Sequence, residues 1–142
     1  MRIGIIGQGF VGTAVKEGLK QHYDIHTYDL KEKCTCDSLE DLITKSDVIF
    51  VCVPTPMKKD GSCDTSIVES VVKDIDHELG GWVGKEQTMV VIKSTVPPGT
   101  TERLNKKYRH INGIVFNPEF LTEANFIDDF KNHNWRAKTS IN

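Results

Sequence analysis

The sequence predicts an α/β fold, with one domain built around an open, doubly wound and mostly parallel sheet. Its 142 residues suit a single domain, because domains usually have about 100 to 200 residues. Short apolar runs alternate along the chain with segments of helical periodicity, as in repeated strand–helix–strand units. The run at 48–53 is apolar at every position, which is typical of a parallel strand buried on both faces.

Composition excludes several classes of protein. The 18 Lys and Arg residues against 20 Asp and Glu residues give a net charge of -2 without a basic run, so nucleic acid is not an expected partner. The longest apolar run has six residues, far short of the roughly 20 that a membrane helix needs. No signal-peptide pattern is present, so we expect a cytoplasmic protein whose four cysteines are free thiols.

The first half of the chain contains three predicted strands and two helices. Arg2–Ile6 is a short apolar strand, and Phe10–Leu19 carries apolar residues at helical steps of three and four. Asp24–Tyr28 alternates in polarity as a second strand does. Ser38 is a helix N-cap for the next short apolar stretch, and 48–53 is the third strand.

The second half repeats this pattern after a polar loop at 57–64. Apolar residues from Val68 to Leu79 form one helical stripe, which two glycines end. A fourth strand is predicted at 88–92, a helix at 101–108, and a fifth strand at Gly113–Phe116. Ligands of such sheets bind beyond the carboxyl ends of the strands, so the loops after strands are the candidate site.

A glycine motif lies between the first strand and the first helix. In Gly7-Gln-Gly9-Phe-Val-Gly12, the first glycine would allow a tight turn, the second would let the backbone approach a pyrophosphate, and the third would let the helix pack on the strand. Asp29 ends the second strand, where a carboxylate binds a ribose 2′-OH and repels a 2′-phosphate. The motif predicts a Rossmann-type fold that binds NAD in preference to NADP, although glycines also form ordinary turns and Asp29 could simply end a strand.

Other polar residues carry weaker signals. Lys31 and Lys33 follow Asp29 and could reach the adenosine side of the cofactor, although lysines in a turn are more often solvated. The five histidines show no spacing that indicates a metal site or a nucleophile–base pair. We therefore expect no metal.

Three further motifs follow predicted strands. They are Val53-Pro-Thr-Pro56, Lys93-Ser-Thr-Val-Pro-Pro-Gly-Thr100 and Asn117-Pro-Glu-Phe-Leu-Thr-Glu123. Together with the glycine motif, their order and spacing resemble the NAD-binding domain of the UDP-glucose/GDP-mannose dehydrogenase family. The resemblance covers residues 1–131 as one NAD-binding domain and leaves 132–142 as a tail outside the sheet.

The resemblance implies a two-step oxidation of the C6 alcohol of a UDP-sugar to a carboxylate, with two NAD. The implied catalytic residues are Glu119, Glu123 and Thr95. The implied sugar-nucleotide contacts are Phe120, Leu121, Thr122, Glu123 and Ala124. The expected cofactor contacts are Gly7, Gly9, Phe10, Val11, Gly12, Asp29, Lys33, Thr55, Thr95 and Glu123.

The sequence departs from that family in two respects. The family uses a cysteine nucleophile from a C-terminal domain and residues of a central helical segment, for which this chain has no counterpart, so the isolated chain is expected to be inactive. The segment 132–142 has no apolar run where the family has a sixth strand. A sheet that ends after five strands would leave apolar surface exposed, which would favour a homo-oligomer. A β-hydroxyacid-type dehydrogenase and a non-catalytic NAD-binding or oligomerisation module remain alternatives.

Overall fold

A parallel five-stranded sheet is the framework of the molecule. The computed structural model describes residues 1–82 and 87–118. The strands are β1 (Arg2–Ile6), β2 (Asp24–Tyr28), β3 (Val48–Val51), β4 (Met89–Ile92) and β5 (Gly113–Phe116). The helices of these ranges are α1 (Phe10–Leu19), α2 (Leu39–Thr44), α3 (Ser66–Gly80) and α4 (Thr100–Lys107).

The strand order is β2-β1-β3-β4-β5, and every neighbouring pair is parallel. This confirms the predicted α/β, doubly wound class. It matches the Rossmann order without the strand that would lie beyond β2. The chain moves outward in one direction from β1 to β2 and in the other direction from β3 onward, so the switch point lies between β1 and β3. A ligand crevice is expected at the carboxyl ends of these two strands.

The helices cover both faces of the sheet, as double winding requires. One apolar cluster packs α1 through Ala14 and Val15 against Ile3 and Ile5. A larger cluster holds buried residues of α2, α3 and α4 against the opposite face. Successive residues of β3 therefore enter different clusters, with Phe50 in the α1 cluster and its two neighbours in the other.

Several predicted boundaries shift by one or two residues. The third strand ends at Val51, not at residue 53, because its last ladder pair is with Ile92 and both chains then turn into loops. The expected cap of α2 is confirmed, since the Ser38 hydroxyl accepts the Asp41 N–H at 3.1 Å. Phe10, an expected cofactor contact, is 44% exposed at the start of α1. In the described ranges, no helix is long and apolar enough to span a membrane.

Candidate cofactor-binding site

The turn from β1 into α1 requires glycine at Gly7. Gly7 has a φ of +93°, in the left-handed region, and a Cβ there would lie 2.6 Å from the Cys52 carbonyl oxygen. Its N–H donates to the Tyr28 carbonyl at 2.9 Å. The turn is thus packed tightly against the ends of β2 and β3, which holds the start of α1 over the carboxyl edge of the sheet.

Gly12 and Gly9 are glycine for different reasons. A Cβ on Gly12 would lie 1.8 Å from the Gly7 carbonyl oxygen, so close packing of helix on turn excludes a side chain. A Cβ on Gly9 would meet nothing within 4 Å, and its extended backbone, with φ of -71° and ψ of -162°, suits any residue. Protein packing therefore leaves open space in front of the N-terminus of α1, where backbone N–H groups favour an anion such as a pyrophosphate.

Asp29 joins the end of β2 to the glycine turn. One of its carboxylate oxygens accepts the Gln8 N–H at 2.7 Å, and the other accepts the N–H groups of Lys31 at 2.7 Å and Glu32 at 3.2 Å. Burial raises the pKa of Asp29, but these backbone donors and the Lys31 charge outweigh it, so the pKa lies below its ordinary value. The carboxylate is therefore ionised and held in place beside the cleft.

A cleft of about 640 Å³ opens over the carboxyl ends of β1, β2 and β3. Gly7 of the glycine turn and Asp29 line it, and residues of α3 form one wall. Its apolar lining includes Leu30, which is 89% exposed, and Ile67, which is 40% exposed. The lining residues are Ile6, Gly7, Tyr28, Asp29, Leu30, Lys31, Leu39, Val53, Pro54, Ser66, Ile67, Ser70, Val71 and Asp74. Its apolar walls and few placed polar groups are typical of a nucleotide pocket.

Comparison with known protein families decides the identity of this domain. The profile of the UDP-glucose/GDP-mannose dehydrogenase family, NAD binding domain, matches residues 17–136. The chain belongs to this family. It is an NAD-binding domain of the nucleotide-sugar dehydrogenase type, and the match decides against the β-hydroxyacid alternative. The glycine turn precedes the matched range, and its fit to NAD rests on the geometry above.

Curated relatives agree with this assignment. UDP-glucose 6-dehydrogenase of Rhizobium meliloti is 40% identical over 67% of this chain and 22% of its own length. An uncharacterized protein of Methanocaldococcus jannaschii is 34% identical over 93% of this chain and 18% of its own length. This chain thus spans about a fifth of these two relatives.

Solved structures show the same fold. GDP-mannose dehydrogenase from Pseudomonas aeruginosa, crystallised as a ternary complex, superposes with a TM-score of 0.74 and 26% identity over 92% of this chain and 38% of that one. A UDP-glucose dehydrogenase from Pyrobaculum islandicum superposes with a TM-score of 0.75 and 26% identity over 91% of this chain and 38% of that one.

The structure gathers some of the sequence-predicted contacts at one edge. The glycine turn and Asp29 line or border the cleft, and Val11 is half-buried at the start of α1. Thr55 and Thr95 follow β3 and β4 on the same carboxyl edge, and Thr95 is exposed. Lys33 is exposed and outside the cleft lining.

The remaining predicted site residues lie outside the described ranges. They are Glu119 and the strip at 120–124, together with the tail at 132–142. Their roles stay predictions. Within residues 1–82 and 87–118, no three His, Cys, Asp or Glu side chains are grouped as metal ligands.

Sequence reasoning missed the wall that α3 contributes. Ile67, Ser70, Val71 and Asp74 all line the cleft, and their spacing of three and four residues places them on one side of the helix. That second stripe was visible beside the core stripe from Val68 to Leu79. The available signal was Ile67, an apolar residue that precedes the core stripe.

Proposed function

We propose that this chain is the cofactor domain of a nucleotide-sugar 6-dehydrogenase that oxidises the C6 alcohol of a UDP-sugar to a carboxylate. The observation that carries the proposal is Gly9, a glycine that neither backbone conformation nor packing requires, at the N-terminus of α1 and two residues after the cleft-lining Gly7. A bound dinucleotide explains it, because its pyrophosphate needs the backbone to come close.

The described residues bind and orient the cofactor. The N–H groups at the start of α1 would hold the pyrophosphate, and Asp29 would accept hydrogen bonds from the adenosine ribose hydroxyls. When bound, NAD would be the two-electron acceptor. We propose that Thr95, Glu119 and Glu123 form the reacting end and that residues 120–124 pass beside the sugar, as in the family that the motifs resemble.

The charge on Asp29 predicts discrimination against NADP. An ionised carboxylate repels a 2′-phosphate, and loss of a charge-assisted hydrogen bond costs about 1.5 to 3 kcal/mol. Asp29→Ala should therefore weaken NAD binding by roughly ten- to a hundredfold, as measured by calorimetry. Glu32→Gln is the matched control, because it removes one exposed neighbouring charge and should leave the affinity unchanged. Equal affinity of the unmutated chain for NAD and NADP would refute this role.

We also propose that the isolated chain does not oxidise UDP-glucose. Positioning a substrate contributes about 7 to 11 kcal/mol to catalysis, and this chain spans only 38% of the solved dehydrogenases that it matches. Among its thiols, Cys52 is buried. Burial raises its pKa to about 12 and outweighs the nearby Lys93 charge, which lowers it. Steady NADH production from UDP-glucose by the purified chain would refute this proposal and make Cys63 the first candidate nucleophile.

We propose separately that the protein is located in the cytoplasm. Cys34, Cys36, Cys52 and Cys63 are all free thiols, which suits a reducing compartment such as the cytoplasm. Fractionation of cells with an antibody against the chain would test this placement.

Self-association is proposed from the edge of the sheet. Val115 is 43% exposed and Phe116 is 41% exposed on β5, the last strand of the sheet within residues 1–82 and 87–118, and exposed apolar edges recruit partners. Light scattering should therefore report a homo-oligomer, and a monomer at high concentration would contradict it.

We further propose the domain as 1–131 with a separate tail at 132–142, which limited proteolysis should remove first.

A further inference from the structure

A lysine is buried at the end of β4. Lys93 is only 3% exposed, and its Nζ donates to the Asn117 Oδ1 at 3.5 Å. Its backbone N–H donates to the Val51 carbonyl at 2.9 Å. Burying an ammonium group is costly unless polar partners compensate it. A lysine at this position therefore indicates a role that an apolar side chain could not fill.

The residues after Lys93 tie the same loop to its other neighbours. The Ser94 hydroxyl donates to the Val53 carbonyl at 2.6 Å, and the Thr95 carbonyl accepts the Cys63 thiol at 3.4 Å. The loop 93–95 is thus bonded in turn to the end of β5, to the segment after β3 and to the loop at 57–64.

Lys93 lies outside the cleft, at the end of β4 on the far side of β3. The cleft covers the ends of β1, β2 and β3 and has no lining residue from β4 or β5. A dinucleotide that crosses the switch point has its second half over the ends of β3, β4 and β5. Lys93 and Asn117 belong to that second half, as does Thr95.

We propose that Lys93 is a positioning residue for the nicotinamide end of the site. By holding Asn117 and the loop that carries Thr95, it sets where the β4 and β5 loops present their groups, without contributing to the adenosine cleft. This inference rests on the proposed function, since it presupposes that NAD binds across the switch point.

Comparing NAD with ADP-ribose separates the two halves of the site. Both ligands contain the adenosine and the pyrophosphate, and only NAD has the nicotinamide. In calorimetric titrations of the 142-residue chain, Lys93→Met should weaken NAD by roughly three- to tenfold, the worth of about one hydrogen bond, and leave ADP-ribose unchanged. Lys93→Arg should restore much of the NAD affinity, because the guanidinium can still donate to Asn117. Lys106→Met is the matched control, since it removes an exposed positive charge on α4.

Asn117→Ala removes the same contact from its other end. It should reproduce the selective loss of NAD affinity, and the double variant with Lys93→Met should lose less than the sum of the two single variants, because both remove the contact between Lys93 and Asn117. ADP-ribose binding in each variant shows that the domain is folded.

The outcomes separate the inference from the proposed function. Equal weakening of both ligands, or no change in either, would overturn the positioning role while leaving the adenosine site intact as a proposal. Equal affinity of the unmutated chain for NAD and ADP-ribose would overturn it as well. Binding of neither ligand by the unmutated chain would overturn the proposed function, and this inference with it.

Discussion

Alanine at the second and third glycines of the motif, Gly9 and Gly12, should separate cofactor binding from folding. A methyl group on Gly9 meets no protein atom within 4 Å, whereas one on Gly12 would lie 1.8 Å from the Gly7 carbonyl oxygen. Gly9→Ala is therefore expected to impair only the ligand, and Gly12→Ala to impair the fold.

The two substitutions should change the free energy of unfolding in opposite directions and by different amounts. Gly9 has an extended backbone that alanine adopts, so Gly9→Ala should raise the free energy of unfolding by up to about 1 kcal/mol, through lower entropy of the unfolded chain. Its methyl group would occupy the space of the pyrophosphate and weaken NAD by about ten- to a hundredfold, the loss of one charge-assisted hydrogen bond. Gly12→Ala gains about 1 kcal/mol of helix propensity, but the overlap should outweigh it and leave the domain about 1 to 3 kcal/mol less stable.

Urea unfolding and calorimetry with NAD measure the two effects independently. Gly81→Ala is the control, because its Cβ would lie 3.6 Å from the Glu78 carbonyl oxygen, an ordinary contact, away from the cleft. It should raise the free energy of unfolding by a similar amount to Gly9→Ala, for the same reason, and leave the NAD affinity unchanged. If Gly9→Ala bound NAD as tightly as the unmutated chain, the open space in front of α1 would not be the pyrophosphate site and the reasoning would be refuted.

Three further predictions concern stability and thiol chemistry. Cys52 should stay unreactive to Ellman's reagent until the chain unfolds, since burial raises its pKa to about 12, whereas the partly exposed Cys63 should react in the native state. The pKa of Asp29 is lowered in the folded protein, so its contribution to stability is present above its ordinary pKa and is lost as the pH falls through the folded value. In Asp29→Asn, the stability should therefore depend less on pH below about pH 4. Acid titration followed by circular dichroism measures this dependence. Gly4→Ala would place a methyl group 2.4 Å from the Ser46 hydroxyl and should lower the urea midpoint, and an unchanged midpoint would contradict the packing of α2 on β1.

Local patterns in the chain determined the elements and the cofactor. Strand and helix periodicities depend on residues near one another in sequence, so Arg2–Ile6, Phe10–Leu19, Asp24–Tyr28 and Gly113–Phe116 were predicted with the bounds that the structure has. The spacing of the glycine motif likewise indicated a dinucleotide, because the turn, the close approach and the helix packing are all properties of six consecutive residues, and Asp29 at the end of the second strand indicated NAD.

Tertiary structure decided what depends on neighbours distant in sequence. The order β2-β1-β3-β4-β5 places the cleft on the outer side of α3, a wall that its core stripe did not reveal. The burial of Lys93 is the clearest case, since a lysine after an apolar strand is expected in solvent, whereas in the structure it is 3% exposed at the end of β4, which pairs with β3 and β5. Sequence patterns report which face of an element is apolar, whereas the partner that covers that face, and the polar groups it traps, are set by how the elements pack.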